Sequence, residues 1–241
     1  MSAPNLGELA RTFAAELQDM LNRTVCDYAQ VAAVVNKRGS GMAHLGTRLD
    51  RQDFSTGKVQ MNSSARTRIW LDISSVLYQN DEGYLTMKSS FCGIYLGNEG
   101  QPELLLHYDY ERDKDTYTEA HVQVAGRHAP LEALLAELGR PDDRMKDLHL
   151  PVGGRRLRPS LEDLLESLIA ERILDPKPGW KAVLDATRRA YRKRQIAAVV
   201  RSNQGTAIKT LEQLGYEVRK RDEGLFAGLR RRAREVGEHR H

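Results

Sequence analysis

The sequence predicts an α+β fold, an antiparallel β-meander of about four strands flanked by N-terminal helices and a helical C-terminal block. Three observations point to it. Apolar residues recur at helical spacing at both ends of the chain. Between them lies a stretch of alternating, β-branched and aromatic segments broken by short polar turns. The order is helices, then strands, then helices, without the βαβ alternation of a parallel sheet.

At the start, Leu6, Leu9, Phe13, Leu17, Met20 and Leu21 recur at spacings of three and four, the stripe of an amphipathic helix. A second apolar run, Val25 to Val35, is expected to continue that helix or form another, until Gly39, Ser40 and Gly41 break the pattern. The strands are expected over Arg68 to Tyr78, Tyr84 to Leu96, Leu104 to Glu111 and Thr116 to Val124. Asn80-Asp81-Glu82-Gly83 and Asn98-Glu99-Gly100 supply turns between them. A short helix around Leu131 to Leu138 ends at Gly139, with Pro141 just beyond. Leu161, Leu164, Leu165, Leu168 and Ile169 form a clear apolar stripe. Trp180, Val183, Leu184 and Tyr191 begin another helix, expected to reach about Arg201, and Thr206 to Leu214 a last one, closed by Gly215. One composite domain fits this order. The variant is a helix-plus-sheet domain over 1–150 and a basic helical block over 151–241.

The chain has 241 residues, 40% hydrophobic and 29% charged, a globular composition with enough length for a real core. No apolar run approaches the roughly 18 residues of a membrane span, and the first residues lack the basic-then-apolar pattern of a secretory leader. Cys26 and Cys92 form no C-x-x-C pair and are expected to be reduced and buried in a cytoplasmic protein. The net charge of +4 is concentrated late, in Arg188–Arg194, Arg219–Arg221 and Arg230–Arg234. Such clusters favour nucleic acid or an acidic protein partner, or line a solvated helix face.

The most chemical stretch is LLLHYDYERDKDTYTEAHVQV, Leu104 to Val124. Alternation puts Leu104, Leu106, Tyr108 and Tyr110 on one face and His107, Asp109 and Glu111 on the other. On the returning strand Glu119, His121 and Gln123 share the polar face, which is expected to point away from the core. A three-residue loop centred on Lys114 would set His107 opposite His121 and Asp109 opposite Glu119. Two imidazoles and two carboxylates at that spacing suit a general acid and base near neutral pH. They also suit a divalent metal held by nitrogen and oxygen. His107, Asp109, His121 and Glu119 are therefore the catalytic candidates, set against an ordinary solvated hairpin.

The H-Y-D-Y strand followed by a histidine-bearing strand resembles small bacterial toxins of toxin–antitoxin pairs. Over residues 104–168 the chain also resembles uncharacterised bacterial proteins. The toxin resemblance implies a protein that acts on nucleic acid. It departs from that pattern at Arg112-Asp113-Lys114-Asp115, where those toxins carry further histidines.

Downstream, Gly153-Gly154-Arg155-Arg156-Leu157-Arg158 precedes Ser160, an N-cap with Asp163 as its capping-box partner. Arg155, Arg156 and Arg158 are candidates for holding phosphate with forked hydrogen bonds, or for pairing with carboxylates on the sheet. The segment is neither a G-x-x-x-x-G-K-[ST] loop nor a G-x-G-x-x-G fingerprint. Further on, Arg188, Arg189, Arg192, Lys193 and Arg194 interleave cations with Tyr191, a composition suited to nucleic-acid backbone and bases. A helix–turn–helix around Asn203-Gln204-Gly205 fits poorly, because Lys209 stands where an apolar residue is needed.

Two functions follow. The first is a cytoplasmic binding or regulatory protein using its basic C-terminal block on nucleic acid or an acidic protein. The second is a metal-assisted or His-dependent hydrolase of nucleic acid built on His107, Asp109 and His121.

Overall fold

The computed structural model describes residues 4–36, 40–141, 144–153 and 158–220. The fold is α+β, with a sheet of eight strands in place of the expected four or so. Helix α1 spans Leu6–Thr24 and is closed at its start by a capping box between Asn5 and Glu8. Its buried face includes Ala10, Ala14, Met20 and Leu21.

The first correction lies just after α1. The run expected as helix is strand β1, Val31–Val35. Five apolar residues carry no period of their own, and three of them are valines, whose branched side chains favour a strand. Strand β1 pairs antiparallel with β2, Ala43–Thr47. Strand β4, Ile69–Gln79, then receives β2 along Ser74–Leu77 and the short β3, Val59–Met61, along Ile69–Leu71. Both lie on one edge of β4, so the sheet is not a simple meander. The other edge continues through β5, Leu85–Leu96, β6, Glu103–Glu111, and β7, Ala120–Val124. A two-residue β8, Leu150–Pro151, closes that side.

After β7 come α2, Ala129–Glu137, and a 3₁₀ turn at Met145–Asp147. Gly139, at φ +77°, ends the first of these as the sequence predicts. Helix α3, Leu161–Ala170, has the expected Ser160–Asp163 capping box. Helix α4 is Trp180–Ser202 and α5 is Gln204–Gln213.

Registered neighbours share a face, so one face of the sheet carries Ile73, Cys92, Tyr108 and Val122, and Leu71, Ile94, Leu106 and Val124. This is the core face. Ile73, Leu71 and Ile94 pack there with Met20 and Leu21 of α1, Leu164, Leu165 and Leu168 of α3, and Leu184 of α4. Both cysteines are free, and burial pushes each thiol up to about 12. No helix among the described residues is long and apolar enough to cross a membrane.

The chain forms two compact units, Met1–Gln195 and Ile196–His241. The boundary expected near residue 150 falls inside the first, because α3 and the first turns of α4 contribute to the sheet's own core. Of the second unit, residues 196–220 are described: the end of α4, a break at Asn203, and α5 followed by Gly215 at φ +88°.

Candidate functional site

The polar face of the β6–β7 hairpin is where sequence and structure meet most closely. His107, Asp109 and Glu111 alternate along β6 with Leu106, Tyr108 and Tyr110, and on β7 His121 and Gln123 fall on the same side as the first set. The register differs from the expected one by two residues. Asp109 stands opposite His121, and His107 opposite Gln123. Glu119 is not opposite Asp109: its carbonyl accepts from the Glu111 amide at 2.8 Å, beyond the last strand pair. The cause is a longer connection than a three-residue loop. Asp113 takes φ +64°, its amide donates to the Glu119 carboxylate at 3.0 Å, and Glu111 accepts from the Tyr117 hydroxyl at 2.6 Å and from Lys114 at 3.1 Å. Glu119 is thus a brace for the loop. A slip of two keeps every side chain on its face, whereas a slip of one would have reversed them all.

The structure therefore does bring His107, Asp109 and His121 together. The Asp109 carboxylate lies 3.4 Å from His107 Nε2 and 3.8 Å from His121 Nε2. His107 Nε2 also meets Gln123 Oε1 at 2.6 Å, so Nε2 is the donor there. Gln123 is itself fixed by donating to the Lys146 carbonyl at 2.8 Å. His121 Nδ1 donates to the Thr118 carbonyl at 3.0 Å. Phe91 stacks on His107 at 5.2 Å between centroids, and Gly93 faces His107 across the strand pair. A Cβ at Gly93 would lie 2.7 Å from the Phe91 ring and 2.9 Å from that of Tyr95, so glycine lets both rings close over this part of the sheet.

The face is not the wet surface the sequence predicts. His121 is 1% exposed. Tyr117 stacks on His149 at 4.1 Å, and both rings stand edge-on to His121, at 5.0 and 4.6 Å. Tyr117 and Gln123 are the members the sequence does not single out. His44 and His149 are both isolated in sequence and either could join the patch in space; His149, just before the short β8, does so, while His44 stacks on Phe54.

Electrostatics sort these rings. The hydrogen bond to Asp109 holds His107 above its ordinary value, against the opposing effect of burial. His149 is held below its ordinary value, first by burial and then by the neighbouring His121. The Tyr117 hydroxyl lowers Glu111, and Glu111 in turn raises Tyr117. A hollow of about 530 Å³ opens on this side of the sheet, with Asp109, Glu111, Ser89 and Arg112 in its lining. Chemically the arrangement can exchange a proton between a carboxylate and two imidazoles. Nδ1 of His107 is buried and has no hydrogen-bond partner among the described residues. No group of three or more His, Cys, Asp or Glu among the described residues is placed to hold a metal ion.

The arginine candidates go elsewhere. Arg155 and Arg156 lie outside the described residues. Arg158 stands over the Tyr110 ring at 4.1 Å, with a guanidinium nitrogen 3.2 Å from the Met87 sulfur. Tyr110 points to the opposite face of β6 from Asp109, so Arg158 is not placed beside the histidines. Arg188 is 8% exposed and is enclosed by Asp163, Asp185 and Glu166, so it braces α4 against α3. Arg192 pairs with Asp163 at 3.2 Å and Arg194 with Glu16 at 3.3 Å, while Arg189 and Lys193 are exposed. No protein-family model, no curated protein and no solved structure matches the chain.

Proposed function

We propose that this chain is a cytoplasmic bacterial binding or regulatory protein that docks an acidic protein partner through its helical block from Ile196 to Lys220. The observation that carries this reading is an apolar surface within that block. Ile196, Val199 and Val200 recur at helical spacing on α4, Ile208 and Leu211 on α5, and Leu214 and Tyr216 follow. These side chains are between 36% and 68% exposed. Large apolar side chains grouped in this way mark protein-binding surfaces. Lys209 and Lys220 are interspersed with them, a rim that favours an acidic amphipathic partner. Nucleic acid is the weaker choice, because Arg188, Arg192 and Arg194 already have carboxylate partners within the chain.

The test is a photo-crosslinking residue at position 211 in bacterial cells. An adduct destroyed by protease and resistant to nuclease, and lost when Leu214→Asp is added, is the expected result. An adduct removed by nuclease would overturn the reading in favour of nucleic acid.

A second reading, a His-dependent hydrolase of nucleic acid, is favoured by the approach of Asp109 to both His107 and His121. It predicts cleavage of labelled RNA or DNA that disappears in His107→Ala. Intact nucleic acid after prolonged incubation would remove it.

A further inference from the structure

We infer that the cavity on the core face of the sheet binds a small apolar amine, with Glu162 receiving its ammonium group. The cavity measures about 600 Å³, within the range of small-molecule sites. Phe13, Met20, Tyr108, Tyr110 and Tyr191 give it an apolar and aromatic wall, drawn from α1, β6 and α4.

Into this wall the sequence sets a carboxylate. Glu162 sits in the first turn of α3 and is 7% exposed. Its neighbours Asp163 and Glu166 are engaged with Arg188, and the Arg188 guanidinium meets Glu162 only at the backbone carbonyl, 3.2 Å away. The Glu162 carboxylate has no hydrogen-bond or ion-pair partner among the described residues, and its oxygens are reached by solvent although the residue as a whole is buried. A carboxylate with so little solvent around it gains from a cationic partner. The start of a helix favours negative charge there, and no cation among the described residues meets the carboxylate, so a cationic ligand in the cavity would complement it. Arg188 does not answer this need, being already surrounded by three carboxylates.

An ammonium group supplies what is missing. It donates charge-assisted hydrogen bonds to Glu162 and is attracted by the faces of tyrosine and phenylalanine rings. The apolar remainder of the ligand covers the Met20 and Phe13 side of the wall. Two arginines also line the cavity, but each is engaged: Arg158 over the Tyr110 ring and Arg194 with Glu16. They define the competing possibility, an apolar carboxylate, which the test separates.

The probes are three molecules on one phenylbutyl skeleton: the amine, the alcohol and the carboxylate. Binding to the full chain is measured by calorimetry up to millimolar concentration. The amine is expected to bind, the alcohol more weakly, and the carboxylate not at all. Glu162→Gln is expected to weaken the amine roughly ten- to a hundredfold, the worth of a charged hydrogen bond, and to leave the alcohol unchanged. Retained alcohol binding shows that the variant is folded. Ala190→Trp, which fills the cavity from α4, is expected to abolish binding of both with an unchanged far-ultraviolet spectrum. A preference for the carboxylate, equal affinity for all three, no binding of the amine, or an amine preference that survives Glu162→Gln would each overturn the proposal.

Discussion

Asp109 and Arg188 are opposite solutions to one problem, a charge held inside the first unit. Asp109 is one carboxylate approached by two imidazoles on the polar face of the hairpin. Arg188 is one guanidinium among three carboxylates, joining α4 to α3. The partners decide what each cluster can do. A guanidinium keeps its charge at every relevant pH, so the Arg188 cluster is a fixed brace. Asp109 faces imidazoles instead, and of these His107 is held above its ordinary value by the hydrogen bond to Asp109, so the same kind of packing includes a group that responds to pH. A buried charge flags a functional site only when a neighbour can change its protonation.

The largest expected effect tests the brace. Arg188→Ala leaves three acidic side chains without their cation and is expected to cost about 3 kcal/mol. Arg192→Ala touches one of the same acids, Asp163, from a 62% exposed position. It is expected to change stability by less than about 0.5 kcal/mol. Urea unfolding of both variants reads the contrast. Equal losses would mean that the enclosure of Arg188 has no energetic consequence, and the comparison with Asp109 would fail.

On the hairpin, His121→Ala removes a ring that is 1% exposed, bonded to the Thr118 carbonyl and packed against Tyr117 and His149. A loss of about 2 kcal/mol is expected, smaller than that for Arg188 because no charged group is left unpaired. A change below about 0.5 kcal/mol would return the hairpin to the solvated surface predicted from its alternating pattern.

Much of this was readable in the sequence, for reasons that differ by element. Strands β4, β5 and β6 declared themselves because each is nine or more residues long and set off by polar turns, β4 being rich in β-branched and aromatic residues and β6 alternating between polar and apolar. The α3 cap was legible because Ser160 and Asp163 act within one turn. Strand β1 was not, because a short apolar run has no period and its partner lies beyond Gly41. The three candidates His107, Asp109 and His121 were found because alternation fixes the face whatever the register. Their exact pairing was missed because it depends on the Glu111–Tyr117 and Asp113–Glu119 contacts of the loop. His149 was legible only as one of two isolated histidines able to join the patch, and Glu162 was missed as a site member, because neither has a local pattern. One is brought in by β8, and the other is buried by packing between elements distant in sequence. The basic run on α4 misled for the converse reason, since the acids that neutralise Arg188 include two on a different helix.

The finest effect is the titration of His107. Asp109 holds it above the ordinary value of about 6.5, and the hydrogen bond between them is the main cause. In a group raised in this way, the stabilising contribution is fully present below the unfolded value and is lost as pH rises through the folded one. His149 runs the other way. It is lowered by burial and by His121, so its contribution is present above the unfolded value and lost as pH falls through the folded one. The two oppose each other in any bulk measurement, which is why a residue-resolved one is required. In Asp109→Asn the charge partner is gone while burial remains, and the midpoint of His107 followed by NMR is expected to move down. The stability difference between the native chain and Asp109→Asn is expected to shrink as pH rises through the native midpoint. An unchanged midpoint would mean that Asp109 does not govern His107, and the hairpin cluster would then be as fixed as the one around Arg188.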